Sequence, residues 1–314
     1  MRLSWIRAAT TVNSDLFTPS TLLASFHYAR NWNLDEIQFG KLIGDSGAYS
    51  ARTQGVKVSI DELGEWAIRW RHRLFWVAAL DVAGDQKTTR RNWEAMNRAY
   101  GLQSVPSIHA GDDPKMLDYY AERGCDFIGL GGLAGGMGSN KAGMRWLIQV
   151  FKYARESWPG MRFHGWGLTS EQTTRLPFWS VDSSSWGAGY RYGTIRLRDP
   201  QTRKRFEFRT NGRDAYEPAH ARLLTRYYKT SPSQIAVSTA ATRERIILVS
   251  ALAQITHETR MRQLHGPIAA PSWGLMNPNG CPTDGPHVAL ADTSQPIIQA
   301  ASRLIGVHGP RAVF

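Results

Sequence analysis

The sequence predicts an α/β protein of the TIM type, a (β/α)8 barrel with a basic β-hairpin insertion, a C-terminal helical extension and no zinc subdomain. Three apolar segments of strand length each end in an aspartate, at Asp45, Asp81 and Asp182. Strand-like and helical patterns alternate between them, which indicates a parallel sheet with right-handed crossovers. Carboxylates repeated at strand ends are typical of barrel enzymes, which assemble their active sites there.

Seven strands and five helical segments are expected from the apolar patterning. The strands are 21–26, 41–44, 75–80, 104–108, 126–130, 162–166 and 178–181, and the helices are 60–71, 88–100, 114–122, 141–156 and 240–259 with a basic extension to Arg262. The eighth strand has no clear signal, and residues 266–292, rich in Gly, Pro, Asn and Ser, are expected to form an irregular loop. We therefore expect a barrel domain over residues 1–260 and an extension over 261–314, with that loop and a terminal helix.

Residues 190–210 are predicted to form a β-hairpin, because alternating Ile, Leu and Phe residues flank the turn-like DPQTRK. The chain has 38 Lys and Arg residues against 26 Asp and Glu residues, a formal net charge of +12. Such an excess favours a polyanionic partner such as nucleic acid. The candidate phosphate-binding residues are Arg191, Arg196, Arg198, Arg203, Lys204, Arg205 and Arg209. A solvated charged hairpin without a ligand is the alternative.

Cysteine use and hydropathy limit the protein class. The two cysteines, Cys125 and Cys281, are too few for a disulfide framework in 314 residues, so we expect a reducing, cytoplasmic setting. No apolar run approaches the length of a membrane span, and the N-terminus has no continuous apolar stretch of the signal-peptide kind. The segment GCPTDGPH could supply two zinc ligands where a structural site needs four. No metal and no membrane partner are therefore expected.

Each strand-end aspartate has a functional and a structural interpretation. Asp45, in GDSGAYS, could face a flat ligand held close to the glycines, or it could cap the following helix. Asp182, in SVDSSSW, suits a nucleophile or general base beside orienting hydroxyls, or a simple turn. Asp81 is predicted to be functional, whereas Asp85 is predicted to cap a helix.

Two histidines and a glycine-rich segment complete the candidate residues. His109 and His164 fall at or near strand ends, where pocket lining and ordinary packing are both open. The segment GLGGLAGGMG, residues 129–138, lacks the Gly-Lys-Ser/Thr of a phosphate loop. We expect its backbone amides to border a planar ligand instead.

Four of these motifs, in this order, resemble the tRNA-guanine transglycosylase superfamily. They are DSGAY (45–49), ALD (79–81), GGLA (131–134) and SVDSSSW (180–186), within a resemblance that covers residues 41–187. The compact length and the HGWGLTS segment look most like the phage-type members, which place 7-deazaguanine bases into DNA. The tRNA enzymes carry a zinc site of three cysteines and one histidine after the nucleophile. This chain cannot form that site, which favours a DNA substrate.

The resemblance implies exchange of one base for another at a sugar anomeric carbon, without a cofactor. It implies that Asp182 is the nucleophile, that Asp45 is the general acid and base, and that Asp81 accepts hydrogen bonds from guanine. The other base-binding residues that it implies are Tyr49, Ser46, Gly47, His109, Gly131, Gly132, Leu133 and His164. His109 stands where the family has a glutamine, which bears on the base that is accepted. The implied partners are guanine-containing duplex DNA and a free 7-deazaguanine base, in the host cytoplasm if the chain is phage-encoded, with a homodimer possible.

Three alternatives remain open from the sequence. The first is a transglycosylase that acts on tRNA. The second is a barrel glycosidase or nucleosidase, in which water resolves the intermediate. The third is a non-catalytic nucleic-acid-binding barrel, although three strand-end carboxylates argue against it because they would repel a polyanion.

Overall fold

The computed structural model describes residues 21–38, 40–133, 140–199, 202, 204–210, 213–228, 230–236, 240–276 and 284–308 of the chain. Its main sheet consists of parallel strands in two groups along the chain, seven before the basic hairpin and one after it. The strands are β1 Thr21–Ser25, β2 Lys41–Asp45, β3 Leu74–Val77, β4 Ser107–His109, β5 Phe127–Gly131, β6 Arg162–Gly165, β7 Ser180–Ser183 and β10 His287–Ala291; the hairpin strands are β8 Thr194–Arg198 and β9 Arg205–Arg209.

The main sheet is curled, and a short bridge joins the segments beside its two outermost strands, β3 and β4. The strand order is β3-β2-β1-β10-β7-β6-β5-β4, with parallel pairing throughout. Ala78 follows β3 and forms an isolated parallel bridge with Val105, which precedes β4. The Ala79 N–H donates to the Val105 carbonyl, and the Val105 N–H donates to the Val77 carbonyl, each at 2.8 Å. The chain is therefore an α/β protein with a curled eight-stranded parallel sheet, compatible with a TIM-like barrel.

The seven predicted strands are confirmed to within three residues at each end, and the eighth corrects an expectation. Strand β10 lies in the segment 266–292 that we expected to be an irregular loop. It pairs with β1 on one side and β7 on the other, and all five of its residues are buried. We did not predict this strand because the run HVALA is short and follows residues of loop composition. The sheet therefore includes residues beyond position 260, where we expected a separate extension.

Helices connect most of the strands and cover the outside of the sheet. They are α1 Phe26–Ala29, α2 Ala48–Thr53, α3 Ile60–Arg69, α4 Gln86–Tyr100, α5 Met116–Ala121, α6 Lys141–Ser157, α7 Ala188–Tyr192, α8 Pro218–Tyr227, α9 Pro232–Ile235, α10 Ala240–His265 and α11 Gln295–His308. The five predicted helical segments correspond to α3–α6 and α10. Asp85 caps α4 as predicted, because its Oδ1 accepts the Thr88 N–H at 2.9 Å.

The interior of the curled sheet is filled with apolar side chains. They are Leu23, Ile43, Phe75, Trp76, Ala78, Val105, Phe127, Trp179, Ala289 and Ala291. The segment after α10 covers the amino ends of the strands, where the Met276 N–H donates to the Phe75 carbonyl at 2.8 Å and the Trp273 indole donates to the Ser104 carbonyl at 3.0 Å. Packed side chains and this segment therefore cover the amino end of the sheet.

Residues 188–236, called the insertion below, lie between β7 and α10 and have their own small core. As predicted, β8 and β9 form an antiparallel hairpin. The core joins the hairpin to α8, α9 and α10, and consists of Ile195, Leu197, Phe208, Ala215, Leu223, Leu224, Tyr227, Tyr228, Ile235, Ile246, Val249 and Leu252. The insertion therefore stands at the carboxyl end of β7, the strand that carries Asp182.

Candidate active site

The three strand-end aspartates meet at one edge of the sheet, called the mouth below. Asp45 ends β2, Asp81 follows β3, and Asp182 lies in β7 one residue before its end. Both Asp182 and Asp81 act electrostatically on Asp45. Asp45 does not cap α2, whose N-cap residue is Gly47 without a side-chain hydrogen bond. The structural interpretation of Asp45 as a helix cap is therefore wrong.

The surroundings of Asp45 favour its protonated form. Burial is the main cause that raises the pKa of its carboxyl to about 7; the Ser25 hydroxyl and the Gly47 N–H oppose the rise, and the negative charges of Asp182 and Asp81 add to it. At neutral pH this carboxyl therefore exists as a mixture of proton donor and proton acceptor. A group poised in this way suits general acid and base chemistry.

Gly47 fixes the turn that follows Asp45. Its φ angle is +74°, and a Cβ there would lie 2.6 Å from His27 Cβ and 2.9 Å from Ser25 Oγ. Only glycine satisfies both the left-handed backbone and this close approach. The next helix, α2, carries Tyr49, whose residue surface is 66% exposed, so its ring is available to a ligand.

Asp182 makes its hydrogen bonds through one carboxylate oxygen, Oδ1. Its Oδ1 accepts the Gly167 N–H at 2.8 Å and lies 3.3 Å from His164 Nε2. His164 Nδ1 lies 2.7 Å from the Ser180 hydroxyl. His164 and Ser180 are fully buried, whereas Asp182 retains 8% exposure. The backbone and the imidazole thus orient a carboxylate that still reaches the mouth.

Asp81 is also backed by a histidine, on the neighbouring part of the mouth. Its Oδ2 lies 2.7 Å from His109 Nε2, and its Oδ1 accepts the Ser46 hydroxyl at 3.4 Å. The Asp112 carboxylate in turn accepts the His109 N–H at 2.7 Å and the Gln86 amide at 2.5 Å. His109 is 7% exposed, so it supports Asp81 from behind more than it offers a surface of its own.

The glycine-rich strand end approaches the same region. A Cβ on Gly131 would lie 3.1 Å from His109 Cδ2, and Gly132 has a φ angle of +73°. Leu133 is 1% exposed and packs in the core outside the sheet, so its side chain does not line the mouth. His164 is likewise 0% exposed, and its Nε2 faces Asp182. These two residues do not line a pocket as expected, and residues 134–138 of the glycine-rich segment lie outside the described residues.

The predicted phosphate-binding residues divide into paired and exposed groups. Arg191 pairs with Asp292 at 2.6 Å, Arg196 pairs with Glu207 at 2.9 Å, and the buried Arg198 pairs with Glu171. Arg191 and Arg198 therefore attach the insertion to the loops at the mouth. Arg191 and Arg196 are exposed as well as paired, whereas Lys204, Arg205 and Arg209 are exposed and form no ion pair within the described residues. Arg203 lies outside the described residues.

Several residues of the site were not found from the sequence. Gln86 and Asp112 belong to a helix start and a turn, and their contacts with His109 arise only from folding. Asp292 could have been found, because HVALAD repeats the pattern of an apolar strand followed by aspartate. Its carboxylate accepts hydrogen bonds from Arg191 and from Tyr190, so it supports the insertion.

The described part of the chain shows neither a candidate metal site nor a candidate membrane span. There, no group of three or more His, Cys, Asp or Glu side chains could hold a metal ion. Cys281 lies outside that part. Among the described helices, none combines the length and the apolar character needed to cross a membrane.

Comparison with known proteins adds no relative to this description. No protein-family model matches the chain, and neither a curated protein nor a solved structure matches it significantly. Its function therefore has to be argued from the residues of the mouth and the insertion.

Proposed function

We propose that the chain is a closed (β/α)8 barrel that exchanges guanine in DNA for a 7-deazaguanine derivative of the 7-cyano type. One observation carries the proposal: the mouth combines a carboxyl with a pKa near 7, Asp45, with a second carboxylate, Asp182, that is oriented by two hydrogen-bonding groups. An acid and a nucleophile of this kind are what double displacement at an anomeric carbon requires. The bridge between Ala78 and Val105 supports closure of the barrel.

In the first step, Asp182 attacks C1′ of the target deoxyguanosine. A bond forms between C1′ and the carboxylate oxygen while the bond between C1′ and N9 breaks, and the electron pair of that bond goes to the guanine. Asp45 gives its proton to the leaving guanine and becomes a carboxylate. The electrostatic repulsion that Asp182 exerts on Asp45 disappears as Asp182 is esterified, which eases this proton transfer.

In the second step, the incoming base reverses the exchange. Its N9–H gives a proton to the Asp45 carboxylate, N9 attacks C1′, and the bond between C1′ and Asp182 breaks. The electron pair returns to the Asp182 carboxylate, whose Oδ1 accepts the Gly167 N–H. Both aspartates end in their starting states, so no further reactant is needed.

Recognition of the base falls to Asp81 and Tyr49. The Asp81 side chain is 22% exposed and its position is fixed by His109 and Ser46. A carboxylate oxygen carries two lone pairs, so each oxygen of Asp81 can still accept from the N1–H and amino edge of guanine. The exposed Tyr49 ring supplies a stacking surface beside Asp45.

The insertion supports a nucleic-acid substrate. It contains eleven Lys and Arg residues and four Asp and Glu residues, a net charge of +7 in a chain whose total is +12. Its exposed cations include Lys204, Arg205 and Arg209, which can meet the phosphates that flank a target base. In duplex DNA that base must leave the stack, at a cost of a few kcal/mol. A DNA substrate and the free, buried Cys125 fit a cytoplasmic setting.

The experiment that tests the proposal is incorporation of a radiolabelled 7-cyano-7-deazaguanine. Duplex DNA and total tRNA are offered in parallel to the wild type, to Asp182→Asn and to Asp85→Asn. The last variant makes the same chemical change at the exposed helix cap of α4. We expect label in DNA with the wild type and Asp85→Asn, and at least a 10³-fold loss with Asp182→Asn.

The other outcomes decide between the alternatives. Label in tRNA alone would move the substrate to RNA. Release of guanine without incorporation would indicate a hydrolase. No reaction on either nucleic acid, with retained binding, would leave a binding protein and refute the transferase.

A further inference from the structure

Asp182, His164 and Ser180 form a hydrogen-bonded line that runs from the mouth into the interior. Ser180 Oγ lies 2.7 Å from His164 Nδ1, and His164 Nε2 lies 3.3 Å from Asp182 Oδ1. The His164 ring meets the rings of Trp76 and Trp166 edge-on, with centroids 4.9 Å and 4.2 Å away. This packing fixes the plane of the imidazole.

The line has the order Ser, His, Asp, but it cannot act as a hydrolytic triad. Ser180 and His164 are both 0% exposed, so no substrate carbonyl can reach the hydroxyl. The end of the line that reaches the mouth is the carboxylate of Asp182, at 8% exposure, which is the end that a triad keeps away from the substrate. The role of the line must therefore be sought in what it does to Asp182.

The geometry determines where the imidazole proton lies. Burial lowers the pKa of His164, so the ring is neutral and carries one N–H. A carboxylate oxygen only accepts, so the nitrogen beside Asp182 must be the donor. Nδ1 is then the acceptor, and the Ser180 hydroxyl, which can donate, completes the line.

We propose, on the basis of the proposed function, that His164 is a positioning residue for Asp182: Ser180 holds it as the Nε2–H tautomer, and it donates to Oδ1 so that Oδ2 is the oxygen that attacks C1′. Gly167 N–H is the second donor to Oδ1, at 2.8 Å. Two donors on one oxygen fix the rotation of the carboxylate and leave the other oxygen to form the new bond. The same donors stabilise the carboxylate when it leaves in the second step.

A matched pair of substitutions separates positioning from packing. His164→Gln places an amide nitrogen where Nε2 was and can still donate to Asp182, whereas His164→Asn places its amide near Nδ1 and cannot reach. Both variants lose the ring between Trp76 and Trp166, so both lose similar packing. We expect His164→Asn to lower the single-turnover rate of base exchange about 10²-fold with little change in DNA affinity, and His164→Gln to recover most of the loss.

A spectroscopic measurement tests the same inference without any turnover. Nitrogen-15 spectra of histidine-labelled protein report the tautomer of each ring, and the His164 signals are those lost in His164→Gln. We expect a neutral ring with its proton on Nε2, and a shift toward the other tautomer in Ser180→Ala. A proton on Nδ1, or a charged ring at neutral pH, would overturn the inference.

The two measurements fail in different ways. Equal losses in the Gln and Asn variants, or no loss in either, would refute positioning while leaving base exchange by the wild type intact. If the wild type does not exchange bases at all, the proposed function fails, and the spectra still decide whether His164 donates to Asp182.

Discussion

Asp45 and Asp182 occupy the same kind of position, the carboxyl end of a parallel strand, but their neighbours differ. Around Asp45, burial and the charges of two other aspartates raise the pKa to about 7. Around Asp182, a backbone N–H and an imidazole nitrogen converge on one oxygen. The strand end supplies the carboxylate in both cases, but the neighbouring strand supplies different partners: β1 offers Asp45 the hydroxyl of Ser25, whereas β6 offers Asp182 the His164 imidazole and the turn after β6 adds the Gly167 N–H. In the reaction that we propose, environment, more than residue type, divides the acid from the nucleophile.

The two carboxyl groups are also coupled electrostatically, because the charge of Asp182 is one cause of the raised pKa of Asp45. If Asp182 loses its charge, the pKa of Asp45 must fall. The reaction that we propose does this when Asp182 becomes an ester. The mouth would therefore pass from a state that holds a proton on Asp45 to one that releases it more readily, in step with the chemistry.

The substitution with the largest expected effect on the proposed reaction replaces Asp45, the proposed acid. We expect Asp45→Asn to slow formation of the glycosyl-enzyme about 10²- to 10⁴-fold, because an amide cannot protonate the leaving guanine. In the wild type the rate should fall as the pH rises through about 7, since Asp45 then loses its proton. In Asp45→Asn that dependence should vanish. Single-turnover trapping of the covalent DNA adduct between pH 5.5 and 9 measures both effects, and an unchanged profile in the variant would remove Asp45 from the acid role.

The second prediction concerns stability, and its sign follows from the same pKa. The folded protein keeps the Asp45 proton up to about pH 7, whereas the unfolded chain keeps it only to about 3.8, so folding binds a proton between these values. The free energy of unfolding must then fall as the pH rises through this window. The difference, at about 1.4 kcal/mol for each pH unit, corresponds to at most about 4 kcal/mol. We therefore expect Asp45→Asn to be more stable than the wild type at pH 8, with the gain shrinking as the pH falls to 4.

Asp85 provides the control for that measurement. Its hydrogen bonds with Thr88 lower the pKa of its exposed carboxyl, so its ionised form belongs to the folded state. Asp85→Asn should therefore give no gain in stability at pH 8. Urea denaturation of both variants and the wild type at pH 4, 6 and 8 decides the matter. A gain that is independent of pH would mean that packing, and not the proton, explains the effect of Asp45→Asn.

The sequence predicted the strand ends well because an apolar run that stops at an aspartate is a local signal. It predicted seven strands, the hairpin and the helix cap at Asp85, and it placed Asp45, Asp81 and Asp182 at one edge. It missed β10 because HVALA is short and its partners, β1 and β7, lie far away in the chain. It left the cap interpretation of Asp45 open because a cap depends on the angles of the next residues.

Charge pattern was a weaker guide than strand pattern. The excess of Lys and Arg indicated a polyanionic partner, but not which cations are available to it. Arg191 and Arg198 have acidic partners on loops at the mouth, Asp292 and Glu171, that are distant in sequence. Likewise, the backing of Asp81 by His109 joins residues 28 positions apart. Such pairs come from tertiary structure, so no local pattern could show them.

The smallest expected effect tests the turn that follows Asp45. Gly47→Ala would place a Cβ 2.7 Å from the His27 backbone nitrogen in a left-handed conformation, and should cost about 2–3 kcal/mol of stability. Gly55→Ala is the matched control, because Gly55 has a similar φ of +69° but open space around it, and should cost about 1 kcal/mol. Since His27 can relieve the clash only by moving the turn, Gly47→Ala should also lower the exchange rate, while Gly55→Ala should not. Equal losses of stability in the two variants would show that backbone strain alone acts at Gly47, and that the close packing on His27 does not hold Asp45 in place.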